Sequence, residues 1–399
     1  MRYLLLVGGW DELVSKVSKM KIPFVLIQKK ELVTQYQIDN AYAIEIVDNF
    51  EDHSLIVDVA KQLHQTYNFI GALSFTEFAL ESTAYIVKEL DIKGNRLTPT
   101  ILTRDKQKMR DKLNACKFEN NKYAIVNSLE EAYKSSENVG FPLIMKPIKA
   151  GGSAGVIKID DTKSLKNAWG KLKELNYDSY ILEEYFSGIE FSIETISFNK
   201  KHYLVAITEK ITTGAPNFIE LGHNLPADIS FTLKERIREF VFNFLDVIEQ
   251  DLGPAHTEIK VFNGEFKIIE SQTRVGGDRI WKMIELSTGI DMFRETINSI
   301  YNDKLDLIFT KESYSFIRFF SLENVILENV TGIDRANSLK NIIDIKITKE
   351  KGERIGGLNS SNSRSGYIIA TSTDYQEGLS SVKEGFNQIY FETKPIQIQ

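Results

Sequence analysis

The chain has 399 residues, 42% hydrophobic and 26% charged, with 24 Gly and 8 Pro. That composition excludes a disordered or fibrous protein and leaves enough apolar material for about two to four domain cores. The 49 Lys+Arg against 55 Asp+Glu give a formal charge of -6, so nothing favours nucleic acid or an anionic membrane surface as a partner.

The apolar stretch Tyr3-Leu4-Leu5-Leu6-Val7 runs at once into Gly8-Gly9-Trp10-Asp11-Glu12, too soon for a secretory leader. No apolar run approaches the roughly 18 residues of a membrane span. The one cysteine, Cys116, cannot close an intramolecular disulfide and points to a reducing compartment, so the expected location is cytoplasmic. Segments 3–7, 24–27, 43–47 and 70–74 read as strands. Between them, 12–20, 53–66 and 76–90 carry the apolar spacing of helices. Strands alternating with helices predict a parallel, doubly wound sheet over residues 1–98. The turn at Gly8-Gly9-Trp10 lacks the second half of a GxGxxG pattern and offers little for a dinucleotide.

Gly94, Asn95 and Pro99 mark a boundary at 93–99. The next unit, 99–182, holds expected helices at 104–116 and 129–136 and a strand at 141–147. A glycine cluster at 151–155 follows, then a strand at 156–159, a helix at 164–175 and a strand at 180–186. Residues 183–305 read as mostly β up to 274, with helices at 233–250 and 284–301. The last unit, 306–399, mixes strands with a helix at 376–386. Its polar stretch 357–364 is expected to be a surface loop. There is no internal repeat.

Three segments could carry chemistry. In Met145-Lys146-Pro147-Ile148-Lys149-Ala150-Gly151-Gly152-Ser153-Ala154-Gly155-Val156, clustered glycines let backbone N–H groups surround phosphate oxygens, and Lys146 adds a point charge. This is not a Walker A loop, because it lies between two strands; the alternative is a flexible hairpin tip. In Ile181-Leu182-Glu183-Glu184-Tyr185-Phe186-Ser187-Gly188-Ile189-Glu190, a strand enters a glycine-containing bend whose backbone and carboxylates could meet an adenine and a ribose, or simply be solvated. The third segment, from His256 to Arg274, reads as a hairpin turning at Asn263-Gly264. A two-residue loop would set Glu258 opposite Ile269 and put Glu270 on the other face. A three-residue loop with a G1 bulge at Gly264 would bring Glu258 and Glu270 to one face, with Gln272 and Arg274 beside them. Two carboxylates and an amide oxygen suit Mg²⁺, and Arg274 could stabilise charge in phosphoryl transfer. Alternating charges on a solvated strand are the competing explanation.

In this order and spacing the segments resemble the ATP-grasp family over nearly the whole chain. The resemblance implies an α/β (α+β ATP-grasp) fold: a Rossmann-like preceding domain, a lid over about residues 111–182, a central antiparallel-sheet domain and a small C-terminal domain. It implies ATP and Mg²⁺ (or Mn²⁺) as cofactors. Lys106 and Lys146 would contact phosphates beneath a lid loop of Gly151, Gly152 and Ser153. Glu183, Glu184 and the Phe186 backbone would form the adenine hinge, with Glu190 on the ribose. Glu258 and Glu270 would bind the metal, with Gln272 where the family usually has Asn. Arg274 would be the catalytic arginine, and Gly277 part of the carboxylate-binding turn.

Gly222-His223-Asn224-Leu225-Pro226 and Arg274-Val275-Gly276-Gly277-Asp278 are most similar to elements of the bacterial L-amino acid ligases. That branch implies dipeptide synthesis through an acyl phosphate. His223 would lie near the amino acid substrate as a candidate base, and Glu77, just after a strand, would hold its amino group. Small-molecule amino acids are the expected partners and a homodimer the expected assembly. The alternatives are a ligase or carboxylase acting on another small carboxylate or amine, and a non-catalytic ATP-binding regulator.

Overall fold

The computed structural model describes residues 2–396. The first sheet contains β1 (Tyr3–Val7), β2 (Phe24–Lys29), β3 (Ala43–Val47), β4 (Phe69–Leu73) and β5 (Lys93–Gly94), all parallel in the order β3-β2-β1-β4-β5. The helices α1 (Asp11–Lys19), α2 (Gln35–Asn40), α3 (His53–Tyr67) and α4 (Leu80–Leu90) connect them. Every residue of β1 is buried, as a strand covered on both faces must be. The sequence gives little signal for α2, a six-residue helix held by its Thr34 cap (Oγ1 accepting from Gln37 N, 3.1 Å). The turn after β1 packs on the chain leaving β4: a Cβ on Gly8 would stand 2.8 Å from the Thr76 hydroxyl. The expected helix at 76–90 opens with a 3₁₀ turn, Glu77–Ala79, which sets Glu77 at the carboxyl edge of the sheet.

The predicted boundary at 93–99 contains β5 and the first turn of α5 (Leu97–Arg104). Pro99 fits there because first-turn N–H groups have no helical partner. In α6 (Lys106–Ala115), capped by Asp105, Lys106 and Arg110 are one turn apart and point the same way. Both are buried. The unit expected as the lid follows as β6 (Tyr123–Val126), α7 (Leu129–Val139), β7 (Leu143–Pro147), β8 (Ile157–Ile159), α8 (Thr162–Lys173) and β9 (Tyr180–Glu184). Its sheet is antiparallel in the order β6-β9-β7-β8 and closes over a core of Leu143, Met145, Leu165 and Leu182.

The central unit is built from β10 (Ile189–Phe198), β11 (Lys201–Thr212), β12 (Glu220–Leu225), α9 (Phe231–Val247), β13 (Gly253–Phe262), β14 (Glu265–Gln272), α10 (Ile280–Thr288) and α11 (Met292–Tyr301). The single helix expected at 284–301 is two. Gly289, at φ +78°, ends α10 where a Cβ would run into Thr310, and Asp291 caps α11.

The chain continues with β15 (Tyr314–Phe320), β16 (Val325–Thr331), α12 (Ile333–Asn337), β17 (Ile342–Ile347), β18 (Arg354–Ile355), β19 (Gly366–Ser372), α13 (Tyr375–Gln388) and β20 (Tyr390–Pro395). Because β15 pairs with β12, one eight-stranded sheet, β14-β13-β10-β11-β12-β15-β19-β17, runs through the central and C-terminal units. Alternation along β10 and β13 sends Ile193 and Ile259 onto Ile237, Val241 and Phe244 of α9, and turns the charged residues between them to the other face. The stretch 357–364 is a loop, as the sequence predicts, but it is not wholly on the surface: it contains a 3₁₀ turn, Ser361–Ser363, and Leu358 and Ser361 are buried, Ser361 against Glu220 of the central sheet. Among the described residues, no helix is long and apolar enough to cross a membrane.

Candidate active site

The hairpin β13–β14 settles its own register by a route the sequence leaves open. Its loop has two residues, Asn263 (φ +48°) and Gly264 (φ +80°), and Phe262 pairs with Glu265. Left alone, that turn would separate the two carboxylates. A one-residue shift after Ile259↔Ile268 leaves Ile269 bulged and brings Glu258 opposite Glu270 and His256 opposite Gln272. The bulge lies at Ile269 rather than Gly264, and Arg110 donates to the Ile269 carbonyl at 3.0 Å.

Opposed cations hold these carboxylates in place. Lys210 reaches Glu190 at 2.6 Å, Glu258 at 2.7 Å and Glu220 at 3.2 Å. Burial alone would lower its pKa, but the three carboxylates hold it well above the ordinary lysine value. Against burial, Lys210 and His256 hold Glu258 far below the usual carboxylate range. His256 sits between Glu194 and Glu258, which overcome its burial and push it up to about 10. Lys106 donates to the Ala150 carbonyl at 2.7 Å and lies 3.3 Å from Glu270.

Residues present fit a divalent cation. Glu258 and Glu270 face each other, and the Gln272 Oε1 is buried without a partner while its Nε2 donates to Glu270 at 3.1 Å. Two carboxylates and a free amide oxygen form a hard donor set, one that Mg²⁺ commonly completes with substrate phosphates.

At the lid, Glu183 is engaged by Lys146 and by Arg110 (2.9 Å). Burial would raise its pKa, but the two cations bring it down to about 2. Burial, with Arg110 and Lys106 close by, pulls Lys146 below its ordinary value despite Glu183. The Glu183 carboxylate, expected at an adenine, is thus occupied by an ion-pair network, and Glu184 pairs with Lys267 at 3.1 Å. Lys260 stands over the rings of Tyr185 and Phe218, 5.1 and 4.7 Å from their centres.

At the other end, Glu77 lies between Arg104 and Arg274 (2.7 Å), which hold its carboxyl below the usual range against burial. Arg274 also donates to the Val275 carbonyl at 2.8 Å. Glu77, expected to hold an amino group, is therefore occupied by two guanidiniums. His223 Nε2 lies 3.1 Å from Asp278, whose carboxylate His223 and Arg364 hold far below the usual range against burial, and His223 Nδ1 is buried without a partner. With the exception of Gly151, every site residue named from the sequence lines one cleft between the lid and the central sheet. Gly151 backs onto it: a Cβ there would stand 2.6 Å from the Glu77 carboxylate, which two arginines pin. A Gly151→Ala variant is expected to hold the loop off Glu77 and lower turnover by up to about a hundredfold. Steady-state kinetics with a thermal melt would separate this from unfolding.

Residues 139–282 match the ATP-grasp domain family, and residues 318–394 match the L-amino acid ligase C-terminal domain 2. The chain carries an ATP-grasp domain. It is 28% identical over 271 residues to the alanine–anticapsin ligase of Bacillus subtilis (strain 168), a match spanning 61% of this chain but only 57% of that protein. It is 21% identical over 356 residues to an L-arginine-specific L-amino acid ligase of Bacillus subtilis, covering 86% of each. An L-amino acid ligase structure from Bacillus licheniformis superimposes with a TM-score of 0.85 at 19% identity, covering 98% of both chains. That likeness establishes the ATP-grasp fold.

Several residues of the ATP-grasp cleft escaped the sequence reading. Arg110 lies one turn after Lys106, and His256 two residues before Glu258, so period alone could have raised both. Lys210, Glu194 and Arg364 have no such local signal; the first two reach the site from neighbouring strands and Arg364 from the loop before β19.

Proposed function

We propose that this protein is an ATP-dependent, ADP-forming ligase that joins two L-amino acids into a dipeptide. The observation that carries this reading is one cleft lined by the buried Lys106 and Lys146, the facing Glu258 and Glu270, and Arg274, His223 and Gly277. The L-amino acid ligase domain in the C-terminal part of the chain and the two ligase relatives support the choice of substrates.

A carboxylate oxygen of the first amino acid attacks the γ-phosphorus of ATP. The bond to the bridging oxygen breaks, ADP leaves with those electrons, and an acyl phosphate remains. The amine of the second amino acid attacks the acyl carbon, phosphate departs, and the amine's proton passes to His223 as the base. Lys106 and Lys146 hold phosphate oxygens, and Arg274 compensates negative charge at the transferring group and then at the tetrahedral oxyanion. A bound Mg²⁺, held by Glu258, Glu270 and Gln272, would supply further charge neutralisation. The lid excludes water from the acyl phosphate.

The test is phosphate release from ATP and Mg²⁺ across the twenty amino acids, singly and in pairs, with mass spectrometry of the products. Release that needs an amino acid and yields a dipeptide is expected. Bound ATP without amino-acid-dependent release would sink the reading.

A further inference from the structure

The segment 357–364 joins the site from the far end of the chain, and nothing in the reaction above uses it. Ser361 donates its backbone N–H to the Gly152 carbonyl at 3.1 Å and its hydroxyl to Glu220. The same Glu220 accepts from the Ser153 hydroxyl at 3.0 Å and lies 3.2 Å from Lys210. Glu220 and Ser361 are 6% and 7% exposed, so these bonds are shielded from water. Gly152 and Ser153 both sit at positive φ, +65° and +57°. For serine that conformation is unfavourable and persists only where the surroundings fix it. Arg364 fixes Ser361 in turn: its Nε donates to the Ser361 carbonyl at 2.6 Å, while its two terminal nitrogens grip Asp278. The guanidinium carbon lies over the Phe319 ring, 3.6 Å from its centre.

We infer that Ser361, through Glu220, is a positioning residue that latches the glycine loop of the lid from the C-terminal domain. The latch keeps the loop closed over the phosphates and so decides whether the acyl phosphate meets the amine or water. The second half of this inference rests on the ligase reading; the first half does not.

The two are separable by experiment on the full chain. Hydrogen exchange without nucleotide should show residues 150–156 exchanging about tenfold faster in Ser361→Ala than in wild type, the size of one hydrogen bond to a charged group. Ser361→Thr, which keeps the hydroxyl, should restore slow exchange. Ser363→Ala, whose hydroxyl meets only Ser360, should match wild type. In turnover, Ser361→Ala should release several phosphates per product formed while melting at the wild-type temperature. Unchanged exchange at 150–156 in Ser361→Ala overturns the latch, whatever the protein ligates. Faster exchange with phosphate and product still equal overturns the role in retaining the intermediate. Faster exchange in a protein that forms no dipeptide leaves the latch standing and removes the ligase reading.

Discussion

An Arg274→Ala variant is expected to lose about 10²–10³ in kcat, the cost of removing one preorganised group that stabilises transition-state charge. The arginine lies two residues beyond β14, and its guanidinium is steered by Glu77 at 2.7 Å and the Val275 carbonyl at 2.8 Å. Truncation leaves Glu77 still paired with Arg104, so no carboxylate is stranded and the fold should survive. The loss would then appear in kcat at saturating ATP with an unchanged melting temperature. Arg274→Lys keeps the charge but not the planar fork and should recover only part of the rate. Normal turnover in Arg274→Ala would remove its catalytic assignment.

A Glu183→Ala variant should lose about 3–5 kcal/mol of stability, because it leaves Lys146 and Arg110 buried without their shared counter-ion. The damage should spread to Glu258 and Glu270, since Arg110 also holds the Ile269 carbonyl at the bulge that aligns them. The ion pairing has a pH signature. The Glu183 carboxyl is held at about 2 in the folded protein against an ordinary value of 4.5. A lowered folded-state pKa stabilises fully above the unfolded value and fades as pH falls through the folded one. Denaturant unfolding from pH 7 to pH 3 should therefore show the gap between wild type and Glu183→Gln narrowing below about 4.5. A gap that stays constant over that range would mean Glu183 is not the anchor of the network.

The parts of this protein legible in its sequence are those governed by local periodicity. The strands and helices of the first sheet follow from alternating apolar patterns, and the glycine cluster and Asn263-Gly264 turn from backbone chemistry. Register is not local. The two-residue turn alone sets Glu258 and Glu270 on opposite faces, and only the bulge at Ile269, stabilised by an arginine 159 residues away in sequence, reunites them. The same limit hides Glu183, whose place beside a bend suggests a nucleotide while its partners come from α6 and β7. It also hides Ser361: a polar, serine-rich stretch has the composition of a solvated loop, and only the pairing of β15 with β12 carries it to the cleft. The ATP-grasp resemblance supplied the order of the site residues, whereas the ion pairs that fix them needed three dimensions.

In the proposed reaction a substrate carboxylate takes the γ-phosphoryl group of ATP. The most direct test is turnover with amino acids whose carboxylate oxygens are ¹⁸O, followed by mass spectrometry of the released phosphate. An acyl phosphate requires one labelled oxygen to leave with each phosphate as the peptide bond forms. Phosphate carrying no label would mean that water, not the carboxylate, receives the phosphoryl group, and would rule out the proposed acyl phosphate.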